Sequence, residues 1–496
     1  MDIVRYIKNK KLLLFFFVVS FYKLYKNKTQ ILFFIYKLTK KGKKHIKENQ
    51  SKALTTIKKK VFDKKWQHNF DNLSLEGKNI DFIKHIVHNR KQKLNHKISG
   101  TLYNNGLMNK TIANYMYDLY MYSNPLHSDL YPELNKMESE IVKMIGNLFD
   151  LPKSGGGNLT TGGTESTILA IKAYKKYKLT NTLFTKQLEV ITTKTGHAAI
   201  NKACELLDLK LIYVKLNKEY VMDTYDLKSK ITSRTCVVIA SSPCYPYGLI
   251  DPITEIGNIC KQNNVPLHVD ACLGGFITQF NESLKISFND NINSISVDPH
   301  KFGYAPKGSS LLLWKNNEIR HKQYFIVEKW TGGIYASPSL PGSRAGGQIA
   351  TTWGILVYNG LNFYKNMATK IINVTRNLVK NINSLQKFKV IGNPMVNVVA
   401  FNSDTYSLGQ IIEEFQKQGW NLNIMQNPLC LHICITPYNI DKINEIVNIL
   451  KIITSKEVEN KDEGLVSIYG MAEKIPDRTI IHEIIEQYLD LTTNLK

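Results

Sequence analysis

The chain has 496 residues, of which 43% are hydrophobic and 21% charged. That balance belongs to an ordinary globular protein and excludes wholesale disorder and fibrous repeats. At roughly 100–200 residues per domain the length allows a few structural units, each with ample surface to bury. The net charge of +24 is concentrated in residues 1–65, which hold 19 Lys+Arg against 3 Asp+Glu, so a nucleic-acid binder driven by charge over the whole body is disfavoured. Seven thinly spread cysteines without a Cys-x-x-Cys pair argue against a disulfide scaffold or a zinc ribbon and fit a reducing compartment. No metal site is read from the sequence.

The basic arm carries an uncharged run at 12–22 (LLLFFFVVSFY) and a second apolar run at 31–36, separated by Lys23, Lys26 and Lys28. A bilayer core needs about 20 residues of helix, so neither run spans alone, and lysines cost most at mid-membrane. A distorted single span, an interfacial anchor and a signal peptide all remain open. Bulky Ser20-Phe21-Tyr22 offers no small-residue cleavage site, and the lysines of 37–65 suit an anionic cytosolic leaflet. We read a membrane anchor.

From about Trp66 the composition is ordinary. Short apolar runs predict strands at 188–192, 211–214, 236–240, 267–271, 294–297 and 310–314, with helices between them, for example 165–178 and 198–207. That alternation predicts an α/β domain with a mainly parallel sheet. A long helix is predicted over 355–385, followed by strands at 396–401 and 431–435 and further helices, a smaller α+β domain. The expected organisation is an arm over 1–65 with its anchor at about 12–36, a connecting segment over 66–140, a large domain over 141–355 and a small domain over 356–496.

Four weak chemical signals occur in order. Thr160 to Ser166 (TTGGTES) opens a helix with two glycines, which suits either a phosphate cradle or an empty capped turn. His197 starts another helix, as a flat imidazole or a simple cap. Asp270 ends a strand, where the carboxylates of α/β sheets meet ligands. Lys301, in Asp298-Pro299-His300-Lys301, is a candidate Schiff-base amine or a solvated lysine. Each alone is common; the order is not.

That order, with Ser123 to His127 (SNPLH), His197 to Lys202 (HAAINK), Leu267 to Gly275 (LHVDACLGG), His300 to Ser310 (HKFGYAPKGSS), Gly332 to Gly347 (GGIYASPSLPGSRAGG), Gly419 to Asn423 and Tyr469 to Ala472, resembles the fold-type I pyridoxal-phosphate enzymes. The resemblance lies in the group of amino-acid decarboxylases and sphingosine-1-phosphate lyases, over roughly residues 65–490. It implies a pyridoxal 5′-phosphate cofactor on Lys301, Asp270 at the ring nitrogen, His197 stacked on the ring, Gly163 and Thr164 at the phosphate, and His300 in the same pocket. It further implies that Tyr103, His127, Tyr247 and Lys307 face a phosphorylated long-chain base, and that Arg344 reaches the site of a partner subunit in a homodimer. A carbon–carbon lyase held by its arm at the endoplasmic reticulum, catalytic domain in the cytosol, is the expected activity and location. Pro299 gives a decarboxylase-like spelling and keeps an amino-acid decarboxylase as the alternative; Cys272 stands where alanine is commoner. A non-catalytic scaffold would have lost Lys301 or Asp270, and both are present.

Overall fold

The computed structural model describes residues 77–90, 95–103, 106–181, 187–458 and 479–493, with four further positions in the arm. The apolar runs at 12–22 and 31–36, the polar stretch at 460–464 and the Tyr469 to Ala472 motif lie outside them.

The chain enters through helices α1 (Ile80–Arg90), α2 (Leu107–Tyr120) and α3 (Pro132–Leu148). Pro132 and Glu133 suit the first turn of α3, and Leu134, Ile141 and Ile145 form its buried stripe. Next come β1 (Gly156–Thr160), α4 (Gly163–Asn181), β2 (Glu189–Thr193), α5 (Ala199–Leu206), β3 (Lys210–Val214), α6 (Thr224–Lys230) and β4 (Thr235–Ser241). The large domain closes with α7 (Ile253–Gln262), β5 (Leu267–Asp270), α8 (Gly275–Thr278), β6 (Ser294–Val297), β7 (Ser310–Trp314) and α9 (Asn317–Gln323).

These strands form one sheet in the order β1-β7-β6-β5-β4-β2-β3. It is parallel from β3 through β6, and β7 runs antiparallel to both its neighbours. Strands β2, β4, β6 and β7 are buried at every position, as expected when helices cover both faces. One apolar layer joins Ile171, Tyr174, Val190, Ile239 and Trp314. The other runs from Val238, Leu267 and Ile295 through to Val398, Phe415 and Ile433 of the small domain.

An exposed hairpin, β8 (Phe325–Trp330) with β9 (Gly333–Ser337), precedes the long helix α10 (Gly346–Asn383). Gly360, at φ 64° and ψ 171°, breaks α10 into two segments, a conformation costly for any residue with a side chain. The small domain is the antiparallel sheet β10-β11-β13-β12 (Lys389–Val390, Val398–Asn402, Cys430–Cys434, Asn423–Met425). Packed with it are α11 (Leu408–Lys417) and α12 (Asn444–Thr454), and α13 (Thr479–Thr493) ends the described chain.

All six strands predicted for the large domain are present within one or two residues of their predicted bounds. Strand β1 was not predicted, because Gly155-Gly156-Gly157 reads as a turn. The glycines are needed instead for close approach: a side chain at Gly156 would collide with the Arg320 guanidinium, which donates to Gly157 O at 3.1 Å. The predicted helix at 355–385 begins at Gly346, nine residues earlier than expected. All seven cysteines are buried and unpaired. Among the described residues no helix is long and apolar enough to cross a membrane.

Candidate active site

Register places the site. Ser241, Asp270 and Ser296 are lateral partners on β4, β5 and β6, so the carboxyl ends of three parallel strands open at one level. Thr160, the last residue of β1, pairs with Ser310 on β7, which brings the Gly162-Gly163 turn to the same edge. Ligands of such sheets bind outside the carboxyl ends of the strands. A cavity of about 300 Å³ lies there, walled among others by Tyr103, Gly163, Thr164, His197, Asp270 and Lys301.

The turn into α4 is held from beneath. Glu165, buried, accepts from the Thr161 N–H and hydroxyl at 2.7 Å each and from the Leu340 N–H at 2.9 Å. Thr160, Ser166 and Ser310 link their hydroxyls at 2.7 and 2.8 Å. Gly163 faces the cavity, and a Cβ there would sit 2.9 Å from Cys272 Sγ and 3.1 Å from Asp298 Oδ2. The glycine lets Cys272 and Asp298 pack close against the helix start, whose first-turn backbone N–H groups and positive dipole end suit an anion.

His197 lies exposed at the cavity lip, and its Nδ1 accepts the Ala199 N–H at 3.1 Å. The proton of a neutral ring is therefore on Nε2. Asp270 is fixed by the Cys272 N–H, which donates to Oδ1 at 3.0 Å. Below it the buried His268 meets Ser294 Oγ at 2.7 Å and Ser296 Oγ at 3.3 Å. Burial pushes the His268 imidazole down to about 4, against the raising influence of Asp270. Burial also holds the Cys272 thiol well above the usual thiol range, reinforced by Asp270 and Asp298, so it stays neutral.

Lys301 follows β6 in a tight turn, its N–H donating to Asp298 O at 3.0 Å. Its Nζ lies 2.8 Å from Asp298 Oδ2, and His300 Nε2 lies 3.5 Å from the same oxygen. Burial, the largest single influence, would lower this ammonium, but the Asp298 charge and hydrogen bond together with Cys272 and Tyr103 raise it above its ordinary value. The Asp298 carboxyl is in turn held low, burial being overcome by Lys301 and His300. The Ser309 N–H donates to His300 Nδ1 at 3.2 Å, and burial lowers the His300 imidazole.

Tyr103 meets Phe302 edge-to-face at 5.1 Å, and Lys307 Nζ stands 4.5 Å over the Tyr103 ring. Burial raises the Tyr103 phenol; partial desolvation and the nearby Lys301 charge lower the Lys307 ammonium.

Of the residues singled out from the sequence, Tyr103, Gly163, Thr164, His197, Asp270, His300 and Lys301 share this cavity, and Lys307 stands over Tyr103. Tyr247 does not line it: the turn at Gly248 (φ 71°) carries Tyr247 under the small domain, where its hydroxyl donates to Asn427 O at 2.6 Å. Tyr245, two residues earlier, lines the cavity instead. His127 lies exposed in the loop between α2 and α3, its N–H donating to Asn124 O at 3.1 Å. Arg344 forks onto Glu138 at 2.7 and 2.9 Å and lines a separate cavity of about 350 Å³, walled also by Thr161 and Glu165. Asp298 was passed over in the sequence; an acid three residues before a lysine in a turn was the available signal.

A glycine-opened helix start, a lysine amine and a strand-end carboxylate on one cavity suit a phosphorylated aldehyde cofactor with a basic ring nitrogen. These are the fittings of a pyridoxal-phosphate enzyme of the α/β class. Residues 59–404 match the pyridoxal-dependent decarboxylase conserved domain; the chain belongs to that family, and within it to the sphingosine-1-phosphate lyase group. It is 34% identical to the sphingosine-1-phosphate lyase of Dictyostelium discoideum, over 90% of this chain and 86% of that protein. It is 36% identical to sphingosine-1-phosphate lyase 1 of Mus musculus, over 79% of this chain and 71% of that one. The solved structure of the Burkholderia pseudomallei K96243 sphingosine-1-phosphate lyase superposes with a TM-score of 0.78 at 28% identity, covering 88% of this chain and 99% of that one. Lactobacillus brevis glutamate decarboxylase, at 18% identity and a TM-score of 0.68, shares the fold. The cofactor of the family is pyridoxal phosphate.

Proposed function

We propose that this chain cleaves sphingosine 1-phosphate and related phosphorylated long-chain bases between C2 and C3, giving a long-chain aldehyde and phosphoethanolamine. Bound pyridoxal phosphate supplies the electron sink for that bond cleavage. Lys301 provides the amine that holds the cofactor aldehyde. Gly163 and Thr164 present N–H groups to its phosphate. Asp270, kept in place by the Cys272 N–H, would hold the ring nitrogen protonated, and His197 at the cavity lip would stack on the ring. His300 completes the wall beside Lys301.

The observation that carries the substrate class is the Lys307 ammonium held 4.5 Å over the ring of Tyr103, which itself lines the cavity. A point charge on a flexible stem suits a substrate phosphate, and the aromatic face beneath it restrains where that charge can go. An amino-acid decarboxylase has no substrate phosphate to receive it. Product analysis after incubation with sphingosine 1-phosphate tests the reading.

We further infer a homodimer, supported by apolar side chains left exposed on α2 and on the hairpin, among them Tyr117, Leu119, Trp330 and Ile334. Arg344 and the loop before it, and His127, then belong to surfaces that a second copy reaches. The basic arm serves as a membrane anchor at the endoplasmic reticulum, with the catalytic domain in the cytosol. Its apolar runs and lysine cluster support this, and a phosphorylated long-chain amine partitions into the bilayer where such an anchor would hold the enzyme. Domain limits at 65, 140 and 355 go with this organisation. Light scattering of the purified protein tests the dimer, and fractionation with and without residues 1–65 tests the anchor.

A further inference from the structure

Asp298 closes the floor of the cavity between the glycine turn and the lysine. It is buried, its Oδ2 is 2.8 Å from Lys301 Nζ, and its Oδ1 has no hydrogen-bond partner among the described residues. Both oxygens lie against Gly163, where a Cβ would come within 3.2 Å of each. The carboxylate therefore stands where a cofactor aldehyde and phosphate would be brought together.

An ammonium has no lone pair with which to attack a carbonyl, and Asp298 holds Lys301 as an ammonium. A proton must leave Nζ before a carbon–nitrogen bond can form. The other groups near Nζ are poor acceptors. Cys272 and Tyr103 are held protonated by burial. His300, whose Nδ1 is engaged by the Ser309 N–H, has its basicity reduced by burial.

We propose that Asp298 takes the Lys301 proton during cofactor loading and returns it to the departing oxygen; this rests on Lys301 being the cofactor-bearing lysine. One proton passes from Nζ to Oδ2, leaving a neutral amine and a carboxylic acid. The amine lone pair then bonds to the aldehyde carbon, whose oxygen takes a proton from the nitrogen. Asp298 protonates that hydroxyl, the carbon–oxygen bond breaks, and water leaves as the carbon–nitrogen double bond forms. The nitrogen keeps one proton and its positive charge, so ammonium plus aldehyde gives iminium plus water and Asp298 ends as the carboxylate it began.

The test follows loading itself. Full-length apo-protein is mixed with saturating pyridoxal 5′-phosphate, growth of the visible absorbance band is recorded by stopped flow, and borohydride trapping with peptide mass spectrometry locates the label. Asp298→Asn is expected to slow the first-order step about 100-fold, at the lower end of what a positioned acid–base group contributes. Acetate is expected to restore the variant's rate in proportion to its concentration and to leave the wild type unmoved. A carboxylate that merely locks the lysine predicts the opposite sign, since its removal would free the amine and speed loading. Label on Lys301 with the variant loading at or above the wild-type rate would overturn the proposal; label elsewhere would overturn the reading of Lys301 beneath it. Should Asp298→Asn not fold, wild-type loading accelerated by acetate would also refute it.

Discussion

Replacing Gly163 by alanine puts the cofactor cradle to a quantitative test. The added methyl would meet Cys272 Sγ at 2.9 Å and the two Asp298 carboxylate oxygens at 3.1 and 3.2 Å. None of the three is the end of a long flexible chain: Cys272 is fully packed beside Asp270, and Asp298 is pinned by Lys301. Overpacking of this kind costs about 1–3 kcal/mol, against which alanine recovers up to about 1 kcal/mol of helix propensity at most. Global stability should therefore fall, by up to about 2 kcal/mol. Displacing Cys272 and Asp298 also disturbs the lining that a bound cofactor would meet, so cofactor affinity falls as well. At 1.36 kcal/mol per tenfold, about 2 kcal/mol raises the dissociation constant for pyridoxal phosphate roughly thirtyfold. Equilibrium titration of apo-protein by absorbance measures it, with thermal unfolding of the apo-protein as the control. Gly163→Ala/Cys272→Ala should recover part of the loss by removing the closest contact. Unchanged affinity in Gly163→Ala would refute the placement of the phosphate at this helix start.

Acid should weaken the fold through His268 and His432. Burial lowers both to about 4, so the unfolded imidazoles take protons near pH 6.5 that the folded ones refuse. Stability is then whole above about 6.5 and falls as pH drops toward 4, by at most about 3 kcal/mol per histidine; denaturant midpoints across that range should show it, and His268→Asn should flatten the dependence. Arg344→Met leaves the buried Glu138 carboxylate, which also accepts the Leu159 N–H at 2.9 Å, without its partner. The loss should be about 3 kcal/mol, read as a lower Tm, and Arg344→Met/Glu138→Gln should regain much of it because the neutral amide still accepts. Lys307→Met should raise KM for the phosphorylated base more than tenfold with Tm unchanged, and Lys307→Arg should retain most of the binding; equal KM values would remove Lys307 from the phosphate site.

Much of the large domain was legible because its strands are short apolar runs between amphipathic helices, and burial on both faces removes any alternation that could be misread. The site was legible where spacing along the chain coincides with the level of strand ends, as for Asp270 on β5 and Lys301 just after β6. It failed where the chain turns between residues of one type. Tyr245 and Tyr247 look equivalent in sequence, but the turn closed by Gly248 N–H to Cys244 O at 3.0 Å sends one to the cavity and the other beneath the small sheet. Strand β1 was hidden by glycines that exist to admit Arg320 and the backbone of Leu312. Asp298 was hidden by its neighbours: beside a His-Lys pair the acid reads as a turn residue, and only burial shows that its charge has nowhere to go but Lys301. The exposed hairpin at 325–337 carries little periodicity, because both of its strands are exposed at most positions.

The most direct test of the central claim is product analysis of the purified protein with pyridoxal phosphate, given sphingosine 1-phosphate in one arm and glutamate and aromatic amino acids in the other. The account predicts long-chain aldehyde and phosphoethanolamine in equal amounts from the first and nothing from the second. Carbon dioxide from an amino acid, with no aldehyde from the phosphorylated base, would contradict it and make the Asp298-Pro299-His300-Lys301 turn that of a decarboxylase.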